Sequence, residues 1–544
     1  MMHRRRFLQV VGGGALLAGH ARAVEASAKP PYRVLYSNDT TNVLGCTSPW
    51  HAKGALFRPE LIEASVDEVA GLVDAHFLQP GLGEVPMWPS KVEPIEAHYR
   101  WIRDTYGLGP DAFGKYVLAG GDVVKVFLDR CRAKGQAGFI SVRLNDAHNK
   151  EFVNAKPGDK IGGSVAMAVT KFYRDHPEYR IGSKIESAQF HVLNWAIPEV
   201  PARKLALIEE LCTNYDLDGL ELDFMRFYSF FPRDKTTSEQ RREVITGFVR
   251  DVRAVIDRTA RDGKRRWLCA RLPGFVSALD PLGLDIAALA AAGLDMLNLS
   301  ASYFTTQQMN VAAIRALAPK TAIYVELCHS TWNGPKMTAG YDVFPFRRAT
   351  VEQLETTAHL GYARGADGVS LFNFAYYREH GGAGRGPFHE PPFSVLPILG
   401  DRAKLGGLPQ HWFLGPGWEN PFAKPAVLPR KLGVGKETTF TLDLAPPSGG
   451  WKRDARLRVQ TLGPMQKEQL AVKWNGQIVA ASDDISEPFP NPDPPLLGSA
   501  ETLRAWVVPA ALLRDGNNGI SISLTSGEAI EIAFLDVATS ASDV

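Results

Sequence analysis

The stretch "YDLDGLELDFMRF" at residues 215–227 decides the fold prediction. Leu220 and Leu222 form the apolar face of a strand, and Glu221 and Asp223 occupy the alternate positions, which lie on its other face. This pattern is typical of a strand in a β/α barrel, whose apolar face packs on helices while its other face points into the barrel. The carboxylates are then tolerated because they face a polar, arginine-lined mouth.

Seven other apolar, β-rich runs occur along the chain, separated by helical patterns such as those at 201–215 and 239–260. Alternating strands and helices predict a parallel sheet, and eight such units over about 350 residues predict a TIM barrel, (β/α)8, with insertions. A doubly wound open sheet is the alternative, but no GxGxxG follows the first strand. A faint repeat, in which Gly and Asp lead into a strand, supports the barrel. The seven runs are RVLYSND (33–39), GLVDAHFLQPG (71–81), AGFISVRLND (137–146), WLCARLPG (267–274), LDMLNLSASYF (294–304), AIYVELCHS (322–330) and DGVSLFNFAYY (367–377).

The pattern changes after the barrel, which is predicted to occupy residues 29–405. Residues 406–432 are rich in Pro and Gly and are predicted to form a linker. Residues 433–544 contain short strand patterns between turn signals and no helical repeat, which predicts an all-β sandwich. Two of its stretches, "VKWNGQIV" and "VPAALLRDGNNGISISL", resemble the jelly-roll accessory domains attached to many glycosidases.

Composition excludes several classes of function. The chain has 61 Lys and Arg against 59 Asp and Glu, and no basic block beyond its N-terminus, so neither nucleic acid nor an anionic membrane surface is an expected partner. The five cysteines are scattered without a CxxC pair, which is neither a disulfide framework nor a zinc site; Cys269 and Cys328 are expected in the core. No HxH, HExxH or GxSxG motif is present, so we expect no metal, no cofactor and no serine nucleophile.

Three carboxylates are the candidate catalytic residues. Asp223 is predicted at the barrel mouth and Glu221 one layer deeper, whereas Asp216 and Asp218 precede the strand and are expected to be turn or capping groups. Glu326 in "YVELCH" repeats the anomaly of a carboxylate inside an apolar strand. Two carboxylates across a polar mouth suit glycoside hydrolysis, so Asp223 and Glu326 are the predicted pair, with Glu221 as the alternative partner.

Other polar and aromatic residues cluster at the ends of the predicted strands, where a barrel builds its active site. An arginine is expected to keep one carboxylate ionised, and aromatic rings are expected to stack on sugar faces. The candidate substrate-binding residues are Asn38, Asp39, Arg143, Asn145, Asn194, Trp195, Arg226, Arg271, Ser302, Tyr303, His329, Trp332, Asn373 and Tyr376.

The segment at 193–227 also resembles the signature of the glycosyl hydrolase-like family 10 barrels. That signature reads Asn-Tyr/Trp-Ala-x-Pro-Glu-Val-Arg, then a helix, then Tyr-Asp-Val-Asp-Gly-x-x-Leu-Asp-x-x-Arg. The resemblance implies an exported barrel enzyme acting on carbohydrate, with Asp218, Asp223 and Arg226 as motif members. Pro201 follows Val200 where the family has arginine, so this chain departs from the signature there.

The expected partner is a carbohydrate substrate, and the expected reaction is hydrolysis of a glycosidic bond. A carbohydrate-binding protein with an inactive barrel is the competing class, and a polysaccharide lyase or deacetylase using the same mouth is a third possibility. The sequence does not define the sugar, its linkage, the stereochemical outcome or the oligomeric state.

The N-terminus predicts export, because adjacent arginines, a short apolar run and Ala21-Arg22-Ala23 follow one another within residues 1–28. The order Arg-Arg-Arg-Phe-Leu resembles a twin-arginine signal and favours the Arg4–Arg5 pair. An ordinary secretory signal is the alternative, and no later stretch is long and apolar enough for a membrane span.

We predict that replacing Arg4 and Arg5 with lysines keeps the protein in the cytoplasm, because a twin-arginine signal requires the arginine pair. Fractionation of cells that express the full chain measures this. Export of the lysine variant at the wild-type level would contradict the prediction.

Overall fold

The structure is a computed structural model that describes residues 29–39, 57–162, 165–182, 191–227, 229–333, 346–378, 390–416, 427–491 and 498–539. Within these ranges the chain forms a barrel domain followed by a β-sandwich, as the sequence predicts.

Eight parallel strands of the described chain close into a barrel, each hydrogen-bonded to the next in sequence and the last to the first. Each predicted strand is present, and the predicted TIM barrel is therefore confirmed. The barrel strands are β1 (Val34–Asp39), β2 (Ala75–Gln79), β3 (Ala137–Arg143), β4 (Gly219–Asp223), β5 (Trp267–Pro273), β6 (Met296–Ser300), β7 (Ala322–Cys328) and β8 (Gly368–Phe372). A short hairpin, Ser330–Asn333 with Phe346–Arg348, lies between β7 and β8 in sequence.

Helices cover the outside of the barrel. The longest helix, Ser238–Arg258, begins with a capping box formed by Thr237 and Gln240. The second longest, Glu199–Asn214, has the acidic residue Glu199 in its first turn, where a negative charge is favourable. The helices of the described chain are α1 (Pro59–Asp67), α2 (Ile95–Tyr106), α3 (Ala112–Leu118), α4 (Val123–Ala133), α5 (Val165–Ala168), α6 (Lys171–Asp175), α7 (Glu199–Asn214), α8 (Ser238–Arg258), α9 (Ile286–Ala291), α10 (Val311–Leu317), α11 (Val351–Ala363), α12 (Leu396–Leu399) and α13 (Arg402–Leu405). None of them is long and apolar enough to cross a membrane.

The interior of the barrel has an apolar floor below a polar layer. Phe77, Phe139 and Tyr324 belong to the buried cluster of the floor. Because side chains alternate along a strand, the inward residues one step further along are polar, and on β4 they are Glu221 and then Asp223. Gly219 makes room for this floor, since a Cβ there would lie 2.0 Å from the Phe139 ring.

An aspartate precedes every even-numbered barrel strand and ties it to the start of the strand before it. Asp74, Asp218, Asp295 and Asp367 each accept a backbone N–H from that neighbouring strand, at 2.7 to 2.9 Å. Each also donates its own backbone N–H back to the same strand. This fourfold clamp explains the Gly/Asp repeat of the sequence and confirms that Asp218 is a structural group.

The C-terminal region is a sandwich of two antiparallel sheets around one buried core. The first described sheet has the order β9–β18–β12–β16–β15, with β10 also paired to β18; the second has the order β11–β17–β13–β14. The strands are β9 (Gln410–Leu414), β10 (Arg430–Leu432), β11 (Glu437–Leu444), β12 (Ala455–Thr461), β13 (Gln469–Trp474), β14 (Gln477–Ile478), β15 (Ala480–Ser482), β16 (Leu503–Val508), β17 (Gly516–Ser526) and β18 (Ile530–Thr539).

The segment predicted as a linker differs from that prediction. Residues 410–414 form β9, which pairs with β18 along its full length and buries Trp412 and Leu414 in the sandwich core. β9 also faces the barrel, because the His411 N–H donates to Thr356 of α11 at 2.7 Å. The Pro and Gly residues of the segment favour a linker prediction, although it contains a five-residue strand. This strand is hydrogen-bonded to β18 of the sandwich and to α11 of the barrel domain, so it joins the two domains.

Candidate active site

Arg271 of β5 lies inside the barrel between the two predicted catalytic carboxylates. Its Nε and Nη2 donate to the two carboxylate oxygens of Glu326 on β7, at 2.6 and 2.8 Å. Its Nη1 lies 3.3 Å from both oxygens of Asp223 on β4. Burial disfavours the guanidinium charge, yet Glu326 and Asp223 together raise the pKa of Arg271 well above its usual value. The Phe372 ring closes the remaining face, 3.7 Å from Cζ.

The register of the barrel explains why these groups meet. Arg143, Asp223 and Arg271 occupy directly paired positions on β3, β4 and β5, so one row of the interior carries charges of alternating sign. Gln79 of β2 donates to Asp223 Oδ2 at 2.5 Å and accepts from Arg143 Nε at 3.0 Å. The Met225 N–H donates to Asp223 Oδ1 at 2.7 Å. Asp223 is therefore surrounded by hydrogen-bond donors, which fix the orientation of its carboxyl group.

Glu221 lies one layer below Asp223 and has a different environment. Ser141 donates to it at 2.7 Å, Asn298 at 3.2 Å and the Cys269 thiol at 3.5 Å. No arginine or lysine of the described chain forms an ion pair with it. Burial, with a contribution from the Asp223 charge, raises the pKa of Glu221 to about 7. Glu221 therefore keeps its proton to a higher pH than an ordinary glutamate.

Glu326 is fixed by more hydrogen bonds than the sequence predicts. Besides Arg271, Ser300 donates to Oε1 at 2.5 Å and Asn298 to Oε2 at 3.4 Å. Burial raises the pKa of Glu326, and Arg271 and Ser300 oppose that rise. Its neighbours Val325 and Leu327 belong to the apolar core around the barrel, whereas the Glu326 carboxylate faces the cation of Arg271. Of Glu221 and Glu326, Glu221 lies in the environment that favours the protonated carboxyl group more strongly.

Above Asp223, a second polar cluster lies at the mouth. His148 is 37% exposed, and its Nδ1 is 2.6 Å from Asp146 Oδ1. Arg226 donates to His148 Nε2 at 3.0 Å and to the Tyr303 hydroxyl. Burial opposes the charge of Asp146, but His148, Arg143 and Arg226 outweigh it and hold the pKa of Asp146 well below its usual value. Arg143 completes the link, since its Nη1 donates to Asp146 at 2.9 Å.

Several predicted substrate-binding residues are placed elsewhere. Trp195 is buried against Phe230 and Phe248, so its ring does not face the mouth; the prediction that it stacks on sugar is corrected. Asn38 lies on the outer face of the barrel wall, where its amide is 3.3 Å from the His76 ring.

Two more of these residues have local structural contacts. Asn145 holds the chain together after β3, donating to the carbonyls of Leu193 and Ser229 and accepting from the Leu193 N–H. Asn194 accepts from the Ala196 N–H ahead of α7.

The remaining candidates lie near the ends of β6, β7 and β8. The Ser302 carbonyl accepts from Arg271 at 3.3 Å, and its backbone is left-handed, with φ of 67°. His329 Nδ1 accepts a hydrogen bond from Arg348 at 2.9 Å, and the His329 ring packs on the Tyr376 ring. Asn373 is buried and left-handed where β8 ends. The side chains of Asp39 and Trp332 lie outside the described residues.

The structure thus brings together Asp223, Glu326, Glu221, Arg271, Arg143, Arg226 and Tyr303. It adds residues that the sequence prediction left out of the site: Gln79, Ser141, Asp146, His148, Asn298 and Ser300. All but Asp146 and His148 are inward residues of barrel strands, so strand alternation alone identifies them once the register is known. Within the described ranges, no three His, Cys, Asp or Glu side chains are grouped to hold a metal ion.

No protein-family model matches the chain, and no curated protein matches it. Among solved structures, it is similar to α-L-fucosidase isoenzyme 2 from Paenibacillus thiaminolyticus, with 12% identity and a TM-score of 0.39 over 68% of this chain and 48% of that one. The chain thus spans about half the length of that fucosidase. The PgaB (BpsB) glycoside hydrolase domain from Bordetella bronchiseptica has 13% identity and a TM-score of 0.37, over 64% of this chain and 95% of that one. Endo-glycoceramidase II from Rhodococcus sp. has 11% identity and a TM-score of 0.34, over 91% and 98% of the two chains.

We predict that Glu221→Gln makes the protein relatively more stable as pH rises. The wild-type carboxyl has a folded pKa above its unfolded value of 4.5, so its contribution to stability is present below pH 4.5 and is lost as pH rises towards about 7. The amide cannot ionise and avoids this loss. The free energy of unfolding of the variant, relative to wild type, should rise by up to about 1.4 kcal/mol for each pH unit in that window.

Urea unfolding at pH 4.5 and at pH 8 measures this difference. Glu243→Gln, on the exposed side of α8, is the control for the loss of one carboxyl group outside the barrel interior. A constant difference between Glu221→Gln and wild type would show that the pKa of Glu221 is the same in the folded and unfolded states, and would contradict the prediction.

Proposed function

We propose that the protein is a glycoside hydrolase that works at the C-terminal mouth of its barrel. The observation that carries this proposal is the convergence of Asp223 and Glu326, from β4 and β7, on the buried guanidinium of Arg271. Paired carboxylates at the carboxyl ends of barrel strands are the groups that most glycoside hydrolases use. The family-10-like signature at 193–227 points in the same direction.

Asp223 is the reacting carboxylate in this proposal. Its donors, Arg271, Gln79 and the Met225 N–H, fix its orientation, which suits a nucleophile or a base. Glu326 is the second carboxylate of the predicted pair and also the principal counter-ion of Arg271. Glu221 holds its proton beneath them and remains the alternative partner.

A carbohydrate-binding protein with an inactive barrel is the second candidate, and one observation favours it. The side chains of Asp223, Glu221 and Glu326 are all at most 1% exposed and are hydrogen-bonded on both oxygens. Such a network also serves as a purely structural core. Turnover separates the two candidates, because a binding protein releases no new reducing ends from any glycan.

A panel of polysaccharides and aryl glycosides incubated with the mature protein tests the proposed function. New reducing ends support it. Products with an unsaturated end that absorbs in the ultraviolet would indicate a lyase instead, and release of acetate would indicate a deacetylase.

We also propose that the protein is exported through a twin-arginine signal. The support is the order of residues 1–28, which lie outside the described residues. Four buried free cysteines of the described chain, Cys131, Cys212, Cys269 and Cys328, are compatible with folding before transport. The arginine-to-lysine test given above decides this proposal.

On the substrate that the panel identifies, we expect Asp223→Asn and Glu326→Gln each to lower kcat by at least about a hundredfold, the low end of general acid–base effects. Asp223 loses the charge that attacks carbon or activates water. Glu326→Gln removes either the second catalytic carboxylate or the partner that holds Arg271.

Asp295→Asn is the matched control. Asp295 is also buried and paired with arginines, Arg253 and Arg265, but lies at the opposite end of the barrel. We expect it to lower the melting temperature while kcat stays within about twofold, given that the N-terminal face of a barrel contributes stability. Full activity of Asp223→Asn would refute the assignment of Asp223.

A further inference from the structure

The Asp146–His148 pair is the part of the mouth that the carboxylate mechanism does not use. Asp146 is 3% exposed and has both oxygens engaged: Oδ2 accepts from Arg143, and Oδ1 accepts from the His148 backbone N–H at 2.7 Å and lies 2.6 Å from its Nδ1. An ionised carboxylate only accepts, so Nδ1 carries a proton. The imidazole is thereby fixed in one tautomer and one orientation.

The other ring nitrogen faces the mouth. Arg226 has only donors to offer, so its contact of 3.0 Å makes His148 Nε2 an acceptor. The groups around the ring are Asp146, Arg226 and the Phe227 ring, which stands edge-on at 5.4 Å between centroids; Arg143 lies behind Asp146. The Asp146 carboxylate accepts from Nδ1, and Nε2 is an acceptor in a partly exposed ring. This is the arrangement of a general base that is oriented by a carboxylate.

The pair is also joined to Asp223. The Leu144 N–H donates to the Asp223 carbonyl at 3.1 Å, so the chain after β3 runs beside the chain after β4. His148 is bonded directly to Arg226, three residues beyond Asp223. Hydrogen bonds run from Asp223 through Gln79 and Arg143 to Asp146 and His148. The buried carboxylate and the exposed imidazole therefore belong to one connected mouth.

We propose that His148 is the general acid–base of the glycosidase reaction, that Asp223 is its nucleophile, and that Asp146 is a positioning residue that acts through His148. This inference rests on the proposed function and names the partner of Asp223 as an imidazole. Glu326 then serves as the counter-ion that orients Arg271 against Asp223, in agreement with its bidentate contact.

The chemistry balances in two steps. In the first, an Asp223 oxygen bonds to the anomeric carbon, the bond from that carbon to the leaving oxygen breaks, and the proton on Nε2 of the imidazolium moves to that oxygen. In the second, water bonds to the anomeric carbon as the Asp223 ester bond breaks, and His148 Nε2 takes the proton of the water. The sum is hydrolysis with retained configuration, and the enzyme ends as it began. The first step starts from the protonated form of the ring, in which a proton on Nε2 takes the place of the Arg226 hydrogen bond seen in this structure.

The test compares aryl glycosides of one sugar that carry good or poor leaving groups, with wild type, His148→Gln, Asp146→Asn and Glu326→Gln. A good leaving group departs without a proton. His148→Gln should therefore lower kcat/KM by at least about a hundredfold for poor leaving groups but by less than about tenfold for a dinitrophenyl group. Added azide should restore turnover and give a glycosyl azide of retained configuration, because azide needs no base.

Asp146→Asn should show the same dependence on the leaving group as His148→Gln, with a smaller loss of kcat/KM. It should also shift the limb of the pH profile of kcat/KM that reports the general acid, a change that a merely structural role would not produce. Circular dichroism and melting temperature establish that each variant is folded. If Glu326→Gln shows the leaving-group dependence and the azide rescue while His148→Gln does not, the acid–base is Glu326 and this inference is overturned. Wild type that hydrolyses no glycoside would overturn the proposed function itself, and the inference with it.

Discussion

The guanidinium of Arg271 is the cation on which the interior of the barrel depends. Two carboxylates, Asp223 and Glu326, are taken out of water by the closure of eight strands, and each would be strongly destabilising alone. Arg271 meets both, with a bidentate contact to Glu326 and a shared contact to Asp223. Ser300 and the Ser302 carbonyl of the same layer also accept hydrogen bonds from this guanidinium.

Glu221 is a third buried carboxyl group, and the charge of Arg271 does not compensate it. Arg271 supplies one positive charge, and a third ionised carboxylate below Asp223 would add repulsion without a cation of its own. Its proton removes this problem, in agreement with its raised pKa. Above the layer, Arg143 and Gln79 connect Asp223 to Asp146 and His148, so the charge balance of the interior extends to the exposed rim. The chemistry proposed for the mouth depends on this continuity.

Much of the fold is readable from the sequence, because its signals are local. The eight barrel strands appear as apolar runs with an alternating second face, and the aspartate before each even-numbered strand has a simple role as a clamp. The inward placement of Glu221 and Asp223 follows from alternation on β4. β9 was missed since Pro and Gly flank it on both sides and its partner, β18, lies more than a hundred residues away.

The site was less predictable because its contacts cross strands. Which carboxylate an arginine meets depends on the register of β3, β4 and β5, and sequence alone left Arg143, Arg226 and Arg271 equivalent. Trp195 has the kind of aromatic ring that stacks on sugars, but its contacts with Phe230 and Phe248 place it in the core. His148 had no motif around it, and only its contacts with Asp146 and Arg226 reveal it.

The free energy of unfolding of Arg271 variants tests the central claim most directly. Arg271→Met leaves two buried carboxylates without their cation, and the account predicts a loss of about 3–5 kcal/mol. Adding Asp223→Asn and Glu326→Gln removes those charges, so the triple variant should recover more than half of that loss in urea unfolding at pH 7. A triple variant no more stable than Arg271→Met would contradict the account, since the two carboxylates would then not depend on Arg271 for their charge.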